Sequence, residues 1–189
     1  MGKVLCFIYD DMADFELILA SHFVARHTGR EIVPIAYESK VIKSAAGMSY
    51  YPMVTVKEAL EYTDIEGIII PGGWNRVQKE ELTEILIKVN NEGKLLASIC
   101  AGPEYLARAG VLDGRKYTTT LTEAAIAEMG IEDSFPRETF LSQNVVRDGN
   151  IITATGNAFV DFAIEIADWF GIFKDEEDKR EAAMHFKGL

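Results

Sequence analysis

Cys100 is the residue of this sequence whose type and setting best suit covalent chemistry. It follows an apolar run over residues 95–99 that is short enough for a buried strand, and Pro103 then opens a helical pattern. A side chain at a sharp strand-to-helix turn points out of the sheet, and the free N–H groups of the helix start lower the pKa of a nearby thiol. The pattern therefore predicts a nucleophile elbow with a reactive thiolate. The alternative is that Cys100 is a small buried hydrophobic residue, which is the common fate of a free cysteine.

Two other segments that could contribute to a site also follow apolar runs. Residues 9–16 come after the first run and end in Glu16, and residues 71–74, Pro-Gly-Gly-Trp, come after a later one. The carboxyl ends of parallel strands meet at one edge of a sheet, where α/β proteins bind their ligands. We therefore expect both segments to lie beside Cys100. Taken alone, Glu16 could equally be an ordinary first-turn glutamate, and the glycines could simply form a tight turn.

The elements that must position these residues alternate between strand and helix patterns. Such alternation predicts an α/β fold in which helices cover both faces of a mostly parallel sheet. The predicted strands are residues 3–9, 31–37, 64–70, 94–99, 116–120, 145–147 and 151–154, and a further hairpin joins residues 41–42 to 49–51. The predicted helices end near residues 26, 60, 90, 110, 130 and 170.

Composition and charge narrow the class of protein. The 189 residues suit one domain over residues 1–189, in which a mixed-charge stretch at about 174–189 forms a helix or tail. No apolar run is long enough to cross a bilayer, and the net charge of −11 disfavours nucleic acid as a partner. Two cysteines without metal-ligand spacing indicate neither a disulfide framework nor a metal site. We expect a cytoplasmic protein.

Several motifs in order resemble the ThiJ/PfpI superfamily, which includes intracellular protease I and the parkinsonism-associated protein deglycase. The matching residues are Glu16, Pro71-Gly72-Gly73, the elbow segment 97–103, and the segments 114–119 and 147–153. The resemblance covers residue 3 to about residue 171. It implies a flavodoxin-like three-layer sandwich related to class I glutamine amidotransferases, usually a homodimer.

The resemblance also implies roles for individual residues. Cys100 would be the nucleophile, and Glu16 a carboxyl group that hydrogen-bonds its sulfur. Gly72, Gly73 and the N–H of Ala101 would bind a developing oxyanion. The next residue, Trp74, could either wall a substrate pocket or cover the sheet end.

The chain departs from the family pattern where a catalytic histidine is expected. Many members carry histidine directly after the elbow cysteine, where this chain has Ala101, and deglycase-like members carry it after the Thr-Thr segment, where this chain has Thr120. The three histidines, His22, His27 and His185, match neither position. No Cys-His dyad can be identified, although Thr120, Asp10 or a bound water could still complete the site.

Three functions are consistent with these features. The first is a glyoxalase- or deglycase-like hydrolase or lyase, in which Cys100 attacks a small electrophile such as a reactive carbonyl, amide or isonitrile. The second is a redox or stress-response protein in which Cys100 is oxidised without turnover. The third is a glutamine amidotransferase-like module, against which the missing histidine argues. None of them requires a cofactor or a metal ion.

Overall fold

The computed structural model describes residues 2–189 of the protein. A seven-stranded sheet forms its centre. The strands are β1 (Lys3–Phe7), β2 (Glu31–Ala36), β3 (Ile42–Lys43), β4 (Ser49–Tyr50), β5 (Val54–Thr55), β6 (Ile65–Ile70), β7 (Leu95–Ile99), β8 (Val145–Asp148) and β9 (Ile151–Ala154). The order across the sheet is β5-β2-β1-β6-β7-β9-β8, with only β8 antiparallel to its neighbour. Strands β3 and β4 form a separate hairpin.

Helices lie on both faces of this sheet. They are α1 (Phe15–His27), α2 (Val56–Ala59), α3 (Glu80–Asn91), α4 (Pro103–Arg108), α5 (Glu123–Met129), α6 (Phe159–Trp169) and α7 (Glu176–Lys187). Helix α6 packs against both α1 and α7, whereas α3 packs against α2 and α4. The central strands are therefore covered on both sides, and every residue of β7 is buried. The predicted α/β sandwich with a mostly parallel sheet is confirmed.

Most of the predicted elements are found within one or two residues of their expected ends. Helix α5 begins after the capping side chain of Thr122 and ends at Gly130 in the left-handed conformation, as its sequence indicates. The mixed-charge stretch at the end of the chain is helix α7, which the Asp175 side chain caps. No helix within residues 2–189 combines the length and apolar character that crossing a bilayer requires.

The prediction of a strand at residues 116–120 is wrong. Only one isolated bridge, from Tyr117 to Phe140, is present there. The N–H of Thr118 donates to the side chain of Thr153, and the N–H of Thr120 donates to the carbonyl of Cys100. The segment contains one tyrosine and three β-branched threonines, residue types that are common in strands, but its N–H groups donate to the elbow and to the Thr153 side chain instead of to the backbone of a neighbouring strand.

Candidate active site

Cys100 lies at the end of β7 in a left-handed backbone conformation, with φ of +62°. Such a conformation costs a non-glycine residue about 1–2 kcal/mol. Three hydrogen bonds hold it: Cys100 N–H donates to the Ala154 carbonyl at 2.8 Å, and the Cys100 carbonyl accepts from Thr120 N–H at 2.9 Å and from the Thr119 hydroxyl at 2.8 Å. The neighbouring segments therefore impose the strained turn that the sequence predicts.

Two glycines leave room for the cysteine side chain. A Cβ atom on Gly72 would lie 2.7 Å from Cys100 Cβ and 2.9 Å from the Ala101 nitrogen. A Cβ atom on Gly156 would lie 2.9 Å from Cys100 Sγ and 3.0 Å from Glu16 Oε1. Gly156 is absent from the sequence-based candidates, although it follows strand β9 and so lies at the same edge of the sheet.

Glu16 is buried beside the cysteine at the start of α1, with 2% of its surface exposed. Its Oε2 accepts a hydrogen bond of 2.7 Å from Gly72 N–H, and the carboxyl group and the Cys100 thiol each affect the pKa of the other. Burial raises the pKa of Glu16 to about 7, because the loss of water outweighs the lowering effect of Gly72 and Cys100. The carboxyl group therefore takes up and releases a proton near neutral pH, as a group that exchanges protons with a thiol must.

The pKa of Cys100 is raised to about 11, which differs from the lowered pKa expected at an elbow. Burial is the main cause and the negative charge of Glu16 the second, whereas hydrogen bonds from the Thr120 hydroxyl and Ala101 N–H act in the opposite direction. Helix α4 has only six residues, so its dipole gives little help. A thiolate is consequently favoured when Glu16 has taken up the proton and lost its charge.

The backbone groups expected to bind an oxyanion are not equivalent. Gly72 N–H is already bonded to Glu16, and Ala101 N–H contacts the Cys100 sulfur. Gly73 has φ of +156° and lies so close to the chain at Asp11 that a Cβ atom would be 2.6 Å from the Asp11 carbonyl oxygen. Within residues 2–189, Gly73 N–H donates to no protein acceptor. Gly73 N–H is therefore the unengaged donor of the three, whereas Ala101 N–H is shared with the sulfur.

Trp74 lies on the rim of a cavity of about 860 Å³ that also reaches Cys100 and Glu16. It is 73% exposed, so it does not cover the sheet end. Most of the wall is apolar, and Phe15 and Phe159 meet edge to face with their ring centroids 5.3 Å apart. The large apolar side chains of the wall are Phe15, Trp74, Leu121, Met129, Ile131 and Phe159.

Thr120 takes the place beside the sulfur where related chains were expected to carry histidine. Its hydroxyl lowers the pKa of the neighbouring Cys100 thiol and accepts a hydrogen bond from Gly156 N–H at 3.1 Å. A hydroxyl group can orient a thiol but cannot store its proton at neutral pH, whereas the neighbouring carboxyl group of Glu16 can. Thr120 also borders a second cavity of about 440 Å³, which likewise reaches Cys100.

None of the three histidines lines either cavity that reaches Cys100. His22 and His27 are on α1 beside Phe23, and His185 is on α7 beside Phe186, which itself packs against Phe23. From Glu16 to His27 the helix rises about 16 Å. Within residues 2–189, no group of three or more His, Cys, Asp or Glu side chains is arranged to hold a metal ion.

A buried ion pair beneath the site was not predicted from the sequence. Glu104 on α4 is 1% exposed and binds Arg76 Nε at 2.6 Å and Arg108 Nη2 at 2.7 Å. Arg76 also donates from Nη1 to the Gly73 carbonyl at 2.7 Å. Helix α4 is thereby connected to the glycine loop at Gly73.

The comparisons with known proteins agree with this architecture. The model of the DJ-1/PfpI family matches residues 2–168. The deglycase PfpI of Pyrococcus furiosus is 32% identical over 156 residues, which cover 80% of this chain and 89% of that protein. The deglycase TK1284 of Thermococcus kodakarensis is 31% identical over 161 residues, with coverage of 80% and 89%.

A solved structure gives the same assignment in three dimensions. The DJ-1 superfamily protein Atu0886 from Agrobacterium tumefaciens superposes with a TM-score of 0.83 at 27% identity, and the match covers 100% of this chain and 99% of that one. The extent of both the family match and the superposition exceeds what a shared sheet topology alone would give. The chain belongs to the DJ-1/PfpI family.

Proposed function

We propose that this protein is a cysteine-dependent hydrolase or lyase that acts on a small electrophile, most directly on a reactive carbonyl compound. The observation that carries the proposal is the pairing of Cys100, on its strained turn, with the buried carboxyl group of Glu16 in the wall of an open cavity. The deglycase-named relatives support the same class of reaction.

The first step would be addition of the thiol to the carbonyl carbon. The Cys100 proton moves to the Glu16 carboxylate, the sulfur forms a bond to the carbon, and the electron pair of the C=O double bond moves to oxygen. Gly73 and Ala101 N–H groups would hydrogen-bond that oxygen while it is charged. Glu16 then returns the proton to it, which completes a hemithioacetal without any other reactant.

Glu16 would serve as both base and acid in this scheme because no histidine is available. For an α-oxoaldehyde, the same carboxylate could move a proton from one carbon of the adduct to the next, which gives a thioester that water hydrolyses to a hydroxy acid. Below a pH of about 7 the carboxyl group holds its own proton and cannot accept that of the thiol. Activity should therefore fall as the pH drops through about 7.

The test is turnover of methylglyoxal by wild-type protein and by single variants. Cys100→Ser and Glu16→Gln should each lower kcat/KM by a factor of about 100 or more. Cys6→Ala is the matched control, because Cys6 is buried within β1 and away from both cavities, so it should retain activity. Equal activity of the wild type and Cys100→Ser would refute the proposal.

Oxidation of Cys100 is the second candidate function. Cys100 is partly exposed, whereas Cys6 is buried and burial raises its pKa to about 12. If no carbonyl compound is turned over while peroxide adds oxygen to Cys100 and spares Cys6, the redox function replaces the catalytic one. The homodimer and the cytoplasmic location that the sequence suggested stay predictions, and sedimentation in solution would test the first.

A further inference from the structure

We propose that the site selects an uncharged carbonyl compound with a bulky apolar substituent, such as an aryl or branched alkyl group, seated against Trp74, Phe15 and Phe159. This inference rests on the proposed function and specifies its substrate class. It comes from the chemistry of the two cavities that meet at Cys100.

The large cavity has few groups that could bind a charged ligand. Besides Cys100, its ionisable side chains are Glu16 and Arg76. Arg76 donates from Nε to the Glu104 carboxylate, which Arg108 shares, and from Nη1 to the Gly73 carbonyl, so these donors are engaged within the protein. Glu16 would repel an anion whenever it is ionised. A carboxylate or phosphate on the substrate would thus have to compete with Glu104 for Arg76.

The second cavity supports the same conclusion. Its lining consists of threonine, serine, asparagine and glutamine side chains with one phenylalanine, and its only ionisable group is Cys100. Neutral hydroxyl and amide groups of this kind bind neutral polar atoms, such as a second carbonyl or a hydroxyl group. Both approaches to the sulfur therefore favour ligands without charge.

The apolar wall sets the size of the substituent. Aromatic and aliphatic side chains from four separate segments surround the cavity, and several remain exposed in the described chain: Phe15 (53%), Trp74 (73%), Met129 (49%) and Ile131 (40%). A volume of about 860 Å³ exceeds what a methyl group would fill. A substituent that covers these side chains gains from removing their apolar surface from water.

Binding can be measured apart from chemistry in the Cys100→Ala variant, which has no nucleophile. Acetophenone, benzoylformate and acetone serve as a neutral aryl, an anionic aryl and a small neutral probe, with calorimetry as the readout. We expect acetophenone to bind at least tenfold more tightly than either of the others. Adding Trp74→Ala should weaken acetophenone about tenfold. Adding Tyr51→Ala, another exposed aromatic residue outside both cavities, should change nothing.

Turnover by the wild type gives the second arm of the test. The kcat/KM for isopropylglyoxal should be about ten times that for methylglyoxal, and this ratio should fall towards one in Trp74→Ala. Equal or tighter binding of benzoylformate, or indistinguishable binding of acetone and acetophenone, would overturn the inference. If the wild type turns over neither glyoxal, the proposed function fails, whereas the binding arm still decides the selectivity of the cavity.

Discussion

Glu16 is a carboxyl group kept where its charged form is costly. Its pKa of about 7 compares with 4.5 for an unperturbed glutamate, and burial is the cause. The protonated form therefore contributes stability that is fully present below pH 4.5 and is lost as the pH rises through about 7. A shift of this size corresponds to about 3 kcal/mol of folding free energy at alkaline pH.

Glu16→Gln should consequently be more stable than the wild type at pH 8, because glutamine removes the charge and can still accept from Gly72 N–H. We expect the difference in free energy of unfolding to approach about 3 kcal/mol at pH 8 and to vanish near pH 4.5. Denaturant titration of both proteins across this pH range measures it. A variant that is less stable than the wild type at pH 8 would contradict a costly charge at this position.

Gly156 controls the space around the sulfur. In Gly156→Ala the new Cβ would press on Cys100 Sγ and Glu16 Oε1, so one of the two must shift. Alkylation of Cys100 by iodoacetamide should slow about tenfold, because the thiol and its base lose their alignment. Gly29→Ala is the control: its Cβ would meet nothing within 4 Å, so alkylation should keep the wild-type rate despite the strain at φ of +68°. An unchanged alkylation rate in Gly156→Ala would show that the space at residue 156 does not limit the reactivity of Cys100.

At the scale of elements, the site depends on the connection between α4 and the glycine loop. Glu104 joins them through Arg76, and both side chains are almost fully buried. Removing one partner of such a pair leaves a buried charge without compensation, which is more damaging than the pair itself is stabilising. The loop carrying Gly73 would lose its support at the same time.

Glu104→Gln should therefore lower the free energy of unfolding by about 3 kcal/mol. Glu177→Gln is the matched control, because Glu177 forms a solvent-exposed pair with Arg180 and its loss should change stability far less than the loss of Glu104 does. Chemical denaturation of the three proteins gives the comparison. Equal stability of the two variants would mean that the buried pair contributes no more than the exposed one.

The sequence was informative about elements whose signals are local. Strand β7, the elbow and the caps of α5 all follow from residues adjacent in the chain. The segment at 116–120 was misjudged because its partners, Cys100 and Thr153, are distant in sequence. For the same reason Glu104 and Gly156 escaped notice: their importance lies in contacts across the fold, and neither has a distinctive local pattern.

The pKa of Cys100 was misjudged on similar grounds. The sequence indicates a helix start beside the sulfur, but not how completely the site is buried or that a charged carboxylate lies next to it. These two opposing effects depend on the assembled sheet edge. The position of Cys100 at that edge was thus predictable from the sequence, whereas the effect of its surroundings on the pKa of the thiol was not.

At the scale of the whole molecule, the excess of acidic residues should affect which reagents reach the site. The chain carries 30 acidic and 19 basic residues, a net charge of −11. Alkylation of Cys100 by anionic iodoacetate should be slower than by neutral iodoacetamide. Because salt screens the repulsion, the iodoacetate rate divided by the iodoacetamide rate should rise about threefold to tenfold from low to high salt. A ratio independent of salt would exclude long-range repulsion.

The division between the fixed elbow and its exposed apolar rim has an evolutionary consequence. The backbone of Cys100 is bound to interior segments, whereas Trp74, Met129 and Ile131 reach the cavity from loops and helix ends and remain substantially exposed. Exposed positions of this kind usually accept substitution within about 0.5 kcal/mol of stability. Descendants of such a chain can therefore change the apolar rim of the cavity by drift, while the backbone bonds that fix Cys100 are inherited unchanged.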